Sequence, residues 1–273
     1  MRTHSNRLRL PTDLPFRLRL ETMPFDKNGY VDPEDAMAPR SDHSPTAPPV
    51  GHDQHRFDRL WQEHAPHTGR RPPQKGVANF RGSTVDADGH EIVLESTLEH
   101  AASLIMRADR TVAMVQSQVG PVHYVDDKSK ERRPVFDFLA TSASGKDLAI
   151  AVKPSRRRAA SGIDDTIAMV RKQRPDFGDE VAVWTEEQLP RCAEHNAGLV
   201  LRSRKLRNDD DVDELKQLAG TTLGVVHVGH LAQHAKCGYA RAFTAIINLI
   251  DDGVIEAFDP GRIRPELRVR LAA

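Results

Sequence analysis

The chain has 273 residues, with 39 basic and 39 acidic side chains and a formal net charge of zero. That length supports one large domain or two modest ones, and the balanced charge excludes a nucleic-acid partner held by the overall field, leaving that role to local basic clusters. Two cysteines, Cys192 and Cys237, exclude a disulfide framework, and no apolar run is long enough to span a membrane.

The N-terminus is basic but lacks the continuous apolar segment of a secretory signal, so a soluble cytoplasmic protein is expected. Residues 1–75 hold eleven of the 18 prolines and few periodic apolar positions. A stretch such as APRSDHSPTAPPVGHDQH cannot bury enough surface to offset chain entropy, so a disordered Pro-rich arm is expected there. Its histidines (His4, His43, His52, His55, His64 and His67) are irregularly spaced, which favours a solvated segment over a metal site. Trp61 in FDRLWQEH is a candidate anchor for a short helix.

Order is expected from Gly76. GSTVDADGHEIVLES reads as strand, turn over Asp86 to Gly89, and strand. Ser96-Thr97-Leu98-Glu99 opens a helix whose Leu98, Ala101, Ala102, Ile105 and Met106 recur at helical spacing. TVAMVQSQVGPVHYV is extended, and DDKSKERR is a charged turn. PVFDFLATSA and DLAIAVKP alternate with period two around a short Ser-Gly-Lys loop, which predicts a hairpin. A helix through GIDDTIAMVRKQR, a strand EVAVWT, and a helix from near Glu186 into LRSRKLR follow. This order predicts a mixed α/β layer structure. From Asp209 onward, DVDELKQLAG, HVGHLAQHAKCG and YARAFTAIINLIDDG read as three helices. VIEAF and RPELRVRLA then read as strands around a DPGR turn, the outline of a winged helix-turn-helix.

In the predicted hairpin, Asp137 stands between Phe136 and Phe138, and Lys153 comes late in an apolar strand. A carboxylate in such a strand needs a partner, solvent or a cation. Two readings stand: an ion pair between Asp137 and Lys153, or a metal-dependent phosphodiesterase site in which Asp137 binds Mg²⁺ and Lys153 steadies water or phosphate. Glu99 is a candidate second carboxylate, and with Ser96 it also spells a capping box that closes the helix N-terminus.

STLEHAASL, VFDFLATS and LAIAVKP, in that order, resemble the TnsA-like transposon endonuclease family of the PD-(D/E)XK nuclease fold. Gln118 in VQSQVGPV resembles that family's extended Gln-rich strand. VAVWTEEQL and AFTAIINLIDDGVIEAF resemble its later segments, so the resemblance runs from Gly76 to the C-terminus. It implies an α/β fold with a restriction-endonuclease-like mixed sheet flanked by helices, followed by a small winged-helix-like α+β domain. The implied divisions are an arm over 1–75, a nuclease domain over 76–207 and a C-terminal domain over 208–273.

The resemblance further implies that Glu99 and Asp137 bind the metal, Mg²⁺ or Mn²⁺, with the Val152 carbonyl beside them, and that Lys153 is the catalytic lysine. The family carries an acid or glutamine two residues before that lysine; here the position is Ala151. Implied partners are double-stranded DNA, a DDE-type transposase and an ATPase regulator. The alternative is a nuclease-fold subunit without cleavage activity that serves DNA binding and assembly, which Ala151 favours. A winged-helix regulator with an unrelated sensor domain would leave Asp137 and Lys153 without a role.

Basic clusters supply candidate DNA contacts: Arg156, Arg157 and Arg158 after the hairpin; Arg202, Arg204, Lys205 and Arg207; and Arg262, Arg264, Arg268 and Arg270 along the predicted wing. His227, His230, His234 and Cys237 superficially suggest zinc. On one helix, however, the outer two would be about 15 Å apart, which favours a helix with packed or exposed histidines.

Overall fold

A computed structural model describes residues 82–272 apart from Asp88 and Leu223. The Pro-rich arm, with its histidines and Trp61, lies outside the described residues. The first element is an antiparallel ribbon of β1 (Gly82–Val85) and β2 (Glu91–Leu94), in register from Gly82–Leu94 to Val85–Glu91. Asp86 closes its turn by accepting the His90 N–H at 2.8 Å.

Helix α1 (Thr97–Ala108) buries Ala101, Ala102, Ile105 and Met106, the face that the 3.6-residue spacing predicts. Strand β3 (Val112–Val119) then leads to a small ribbon of β4 (Tyr124–Val125) and β5 (Glu131–Arg132). Strands β6 (Phe136–Ser142) and β7 (Asp147–Val152) form the predicted hairpin. Its turn closes through Gly145 at φ +81°, a conformation that suits glycine. With β8 (Glu180–Trp184) they make a four-stranded sheet in the order β3-β6-β7-β8. The first two pairings are antiparallel and β7–β8 is parallel, so the sheet is mixed.

The sheet is covered on both faces. On one, Phe138, Ala140, Leu148, Ile150 and Val152 join α1 and α4 (Arg191–Lys205) in the main core. On the other, Phe136, Ala149, Ala151 and Val181 pack with Ile167 and Val170 of α3 (Ile163–Gln173). Between β7 and α3 lies a short helix, α2 (Ser155–Ser161), with no buried residue. Gly162, at φ +65°, ends α2 and starts α3. The helix that the sequence pattern predicts over GIDDTIAMVRKQR is α3; α2 before it is not predicted, and the left-handed Gly162 divides the two.

The start of α4 also differs from the sequence pattern. It begins at Arg191, not near Glu186, because residues after Thr185 form a turn in which Gln188 and Leu189 N–H both bond the Thr185 carbonyl. Pro190 follows, and the residue before a proline is driven out of helical geometry.

The C-terminal part consists of α5 (Asp209–Thr221), β9 (Val226–His227), α6 (Val228–Gln233), α7 (Tyr239–Asp251), β10 (Ile255–Ala257) and β11 (Arg268–Leu271). The HVGHLAQHAKCG stretch is therefore not one helix. Val226 and His227 pair with Val269 and Arg268, and the helix ends before Cys237. The main core runs without a break from α1 and the sheet through α4 into α5, α6, α7, β10 and β11. Arg204 at the end of α4 reinforces that junction, bonding both Asp251 oxygens of α7 and the Arg107 and Ala108 carbonyls that end α1. No helix among the described residues is long and apolar enough to cross a membrane.

Candidate active site

Three of the sequence-selected residues meet where β6 and β7 part. The last paired residues of the hairpin are Phe138 and Ile150. Beyond them Asp137 turns its carboxylate into the gap, and its Oδ2 accepts the Val152 N–H at 2.7 Å. Lys153 follows β7, anchored by its own N–H to the Trp184 carbonyl, with Nζ 3.5 Å from Asp137 Oδ2. Lys153 keeps 36% of its side chain exposed against 13% for Asp137, so the ammonium opens to solvent while the carboxylate is largely enclosed.

Glu99 reaches this end of the sheet from the first turn of α1. Ser96 caps the helix by accepting the Glu99 N–H at 3.1 Å, while its hydroxyl donates to Glu99 Oε1 at 2.8 Å. The Glu95 N–H donates to Glu99 Oε2 at 2.7 Å. The Ser96 half of the capping box therefore forms, while the Glu99 carboxylate takes the Glu95 N–H and the Ser96 hydroxyl in place of the Ser96 N–H, and these bonds hold it in position. Glu99 is both cap and candidate ligand. Glu95 lies just before the helix, and its charge acts on both other carboxyls.

The electrostatics follow from crowding these acids in a buried place. Burial and the charge of Asp137 push the Glu99 carboxyl up to about 7, against the pull of the Glu95 N–H and the Ser96 hydroxyl. Burial raises Asp137 as well, opposed by Lys153 and the Val152 N–H. Lys153 is the cation set against the three carboxyls of Glu95, Glu99 and Asp137, so a divalent cation would suit the remaining negative charge. Mg²⁺ takes oxygen ligands, keeps several waters and needs only one or two protein carboxylates, so Glu99 and Asp137 suit it by donor type. The Val152 peptide lies beside them through its bond to Asp137. Ala151 sits among the apolar residues of the second cluster and offers no side-chain ligand.

No protein-family model matches this chain, and no curated protein matches its sequence.

The basic residues separate by what they touch. Arg156 and Arg157 are exposed on α2 directly beyond Lys153, and neither forms an ion pair among the described residues. Arg158 is held by Asp164. Glu186, which no sequence pattern singles out, accepts the Ser155 N–H at 2.8 Å and so ties the start of α2 to the turn after β8. Arg202 and Lys205 are exposed on α4, beside a groove of about 640 Å³ lined also by Leu104, Val115 and Leu201. Arg204, between them, is committed to the helix junction, and Arg207 to Asp209 and Asp252. On the β10–β11 hairpin, Arg268 and Arg270 pair with Asp259 and Glu256 and lie over the Phe258 ring. Arg264 pairs with Glu266.

The histidine group does not assemble. The His230 and His234 rings meet at a tilt, centroids 4.3 Å apart, His234 Nδ1 bonds the His230 carbonyl, and Cys237 lies beyond the end of α6. Among the described residues no group of three or more His, Cys, Asp or Glu side chains is placed to hold a metal ion.

Proposed function

We propose that this chain is a metal-dependent DNA endonuclease subunit of a heteromeric transposase, cutting DNA at transposon ends beside a DDE-type transposase and an ATPase regulator. The observation that carries the reading is the pair of buried, mutually repelling carboxylates, Glu99 and Asp137, with Lys153 Nζ 3.5 Å from Asp137. An ion pair accounts for Asp137 and Lys153, and the helix cap accounts for the bonds of Glu99 to Ser96 and Glu95, but neither calls for two acids buried against one another. The mixed sheet with α1 on one face and α3 on the other supports a restriction-endonuclease-like core. In the C-terminal part, β11 lies between β9 and β10, and the order helix, strand, two helices, two paired strands supports a winged helix-turn-helix reading.

In this mechanism Glu99 and Asp137 would hold Mg²⁺ or Mn²⁺. An ion held there would supply Lewis-acid charge toward a phosphate and a more acidic water. Lys153 offsets the charge developing on the phosphate oxygens from its partly exposed ammonium. Arg156 and Arg157 hold the flanking DNA backbone as point contacts that carry no sequence information.

Ala151 favours a second reading, a subunit with the nuclease fold that binds DNA and assembles the complex without cutting it. Nicking of a supercoiled plasmid bearing an element end, in Mg²⁺ or Mn²⁺ with the transposase present, separates the two. Nicking lost on Asp137→Asn supports the enzyme. Cleavage absent from the wild-type protein under these conditions sinks it.

A further inference from the structure

Gln118 stands on β3 between Ser117, paired with Phe138, and Val119, paired with Phe136. It is therefore level with Asp137 on the neighbouring strand, although its left-handed backbone takes it out of the paired ladder. Three properties of Gln118 do not fit a residue that only builds the sheet. Its side chain is enclosed, with 8% of the residue exposed. Its amide nitrogen has no hydrogen-bond partner among the described residues. Its backbone is left-handed, φ +54°, a conformation that glutamine adopts at a cost.

Buried side-chain amides are nearly always bonded, because an unmatched N–H donor forfeits its hydration. The neighbouring Ser117 follows that rule, accepting the Val93 N–H at 2.9 Å. The bend is secured just downstream. Gly120 takes φ +130°, and a side chain there would meet the Pro134 carbonyl at 3.1 Å. A strained, enclosed donor on the strand next to Asp137 thus persists at the expense of local stability, a pattern expected where a ligand completes the bonding.

We propose that Gln118 is a phosphate-binding residue of this site, its Nε2 donating to a non-bridging oxygen of the DNA phosphodiester held beside Asp137. The inference rests on the nuclease reading above. An amide suits this position because it brings a donor into a crowded acidic site without adding charge. A carboxylate in its place would repel the phosphate.

The test compares full-length wild-type protein with Gln118→Met, Gln118→Glu and Asp137→Asn. Each is read by thermal melting without metal, by plasmid nicking as above, and by the affinity for a labelled duplex of about 30 base pairs in Ca²⁺, a length that spans a standard specific interface. Gln118→Met keeps the volume and removes the unmatched donor. It should melt at or up to about 5 °C above wild type, nick about a hundredfold more slowly, and bind the duplex more weakly. Gln118→Glu should lose more in both functional readouts.

Gln118→Met that nicks and binds as wild type, while Asp137→Asn does not nick, overturns this inference and leaves the nuclease reading standing. Gln118→Met that melts several degrees lower assigns Gln118 to the scaffold and overturns it too. Asp137→Asn that nicks and binds as wild type removes the nuclease reading, and this inference with it.

Discussion

Asp137 completes the β6–β7 hairpin with its side chain: its Oδ2 takes the Val152 N–H at 2.7 Å, one step past the last paired residues. The carboxylate therefore has a structural bond in addition to any chemistry. Asn at this position keeps an acceptor for Val152 and discards a buried charge, whereas Ala leaves that N–H without its partner. We expect Asp137→Asn to fold with at least wild-type stability and to lose nicking, and Asp137→Ala to lose about 1–3 kcal/mol as well. Chemical denaturation of both variants, beside the nicking assay, checks this. Equal stability losses in the two would show that the Val152 bond carries no weight.

The raised Glu99 carboxyl has a definite pH signature. Its pKa is about 7 in the fold against an ordinary 4.5, so the folded state retains a proton that the unfolded chain gives up. The associated stability is present below pH 4.5 and is lost as pH rises through 7, at most about 3 kcal/mol in total. Glu99→Gln should flatten that slope. A wild-type stability that rises between about pH 5 and 7 relative to Glu99→Gln would contradict the assignment.

Metal binding at the same carboxyl should run the opposite way with pH. A cation must displace the Glu99 proton, so Mn²⁺ affinity should climb up to about tenfold per unit toward pH 7 and level off above it. Calorimetric titrations at about pH 6, 7 and 8 read this directly. An affinity independent of pH over that range removes Glu99 from the ligand set.

The arginines should divide into structural and DNA-facing groups. Arg204→Ala breaks bonds to Asp251 and to two helix-terminal carbonyls and leaves Asp251 to Arg110 alone, so a loss of about 2–4 kcal/mol is expected. Arg156→Ala and Arg157→Ala should leave melting within about 0.5 kcal/mol of wild type. Each should weaken duplex binding and reduce the salt slope of log K by about 1. Unchanged binding in the Arg156→Ala, Arg157→Ala double variant would remove α2 from the DNA surface.

Introducing an acid two residues before Lys153 should not by itself help. Ala151 is 2% exposed among Val122, Phe136, Ile167, Val170 and Val181, so Ala151→Glu puts a carboxylate into an apolar cluster. We expect a loss of about 2–4 kcal/mol without metal. A melting temperature equal to wild type would mean that the new side chain reaches the gap at Asp137, placing position 151 at the metal.

Features set by near neighbours were legible from sequence. The Ser96–Glu99 cap, the apolar face of α1 and the β6–β7 hairpin depend on spacings of three, four and two residues, and each formed. The odd placement of Asp137 and Lys153 was visible for the same reason, since a charge in an alternating apolar strand breaks a local rule. Tertiary structure decided the rest. It brings the α1 cap to the end of the sheet, lifting Glu99 to about 7 partly through Asp137, a residue distant in the chain. It bends β3 so that Gln118 is enclosed without a partner for its amide nitrogen among the described residues, and it separates Arg204 at the helix junction from Arg156 in solvent. Such outcomes depend on which strands pair and which helix ends meet. Pairing energy comes from contacts distant in sequence, so no local spacing records it.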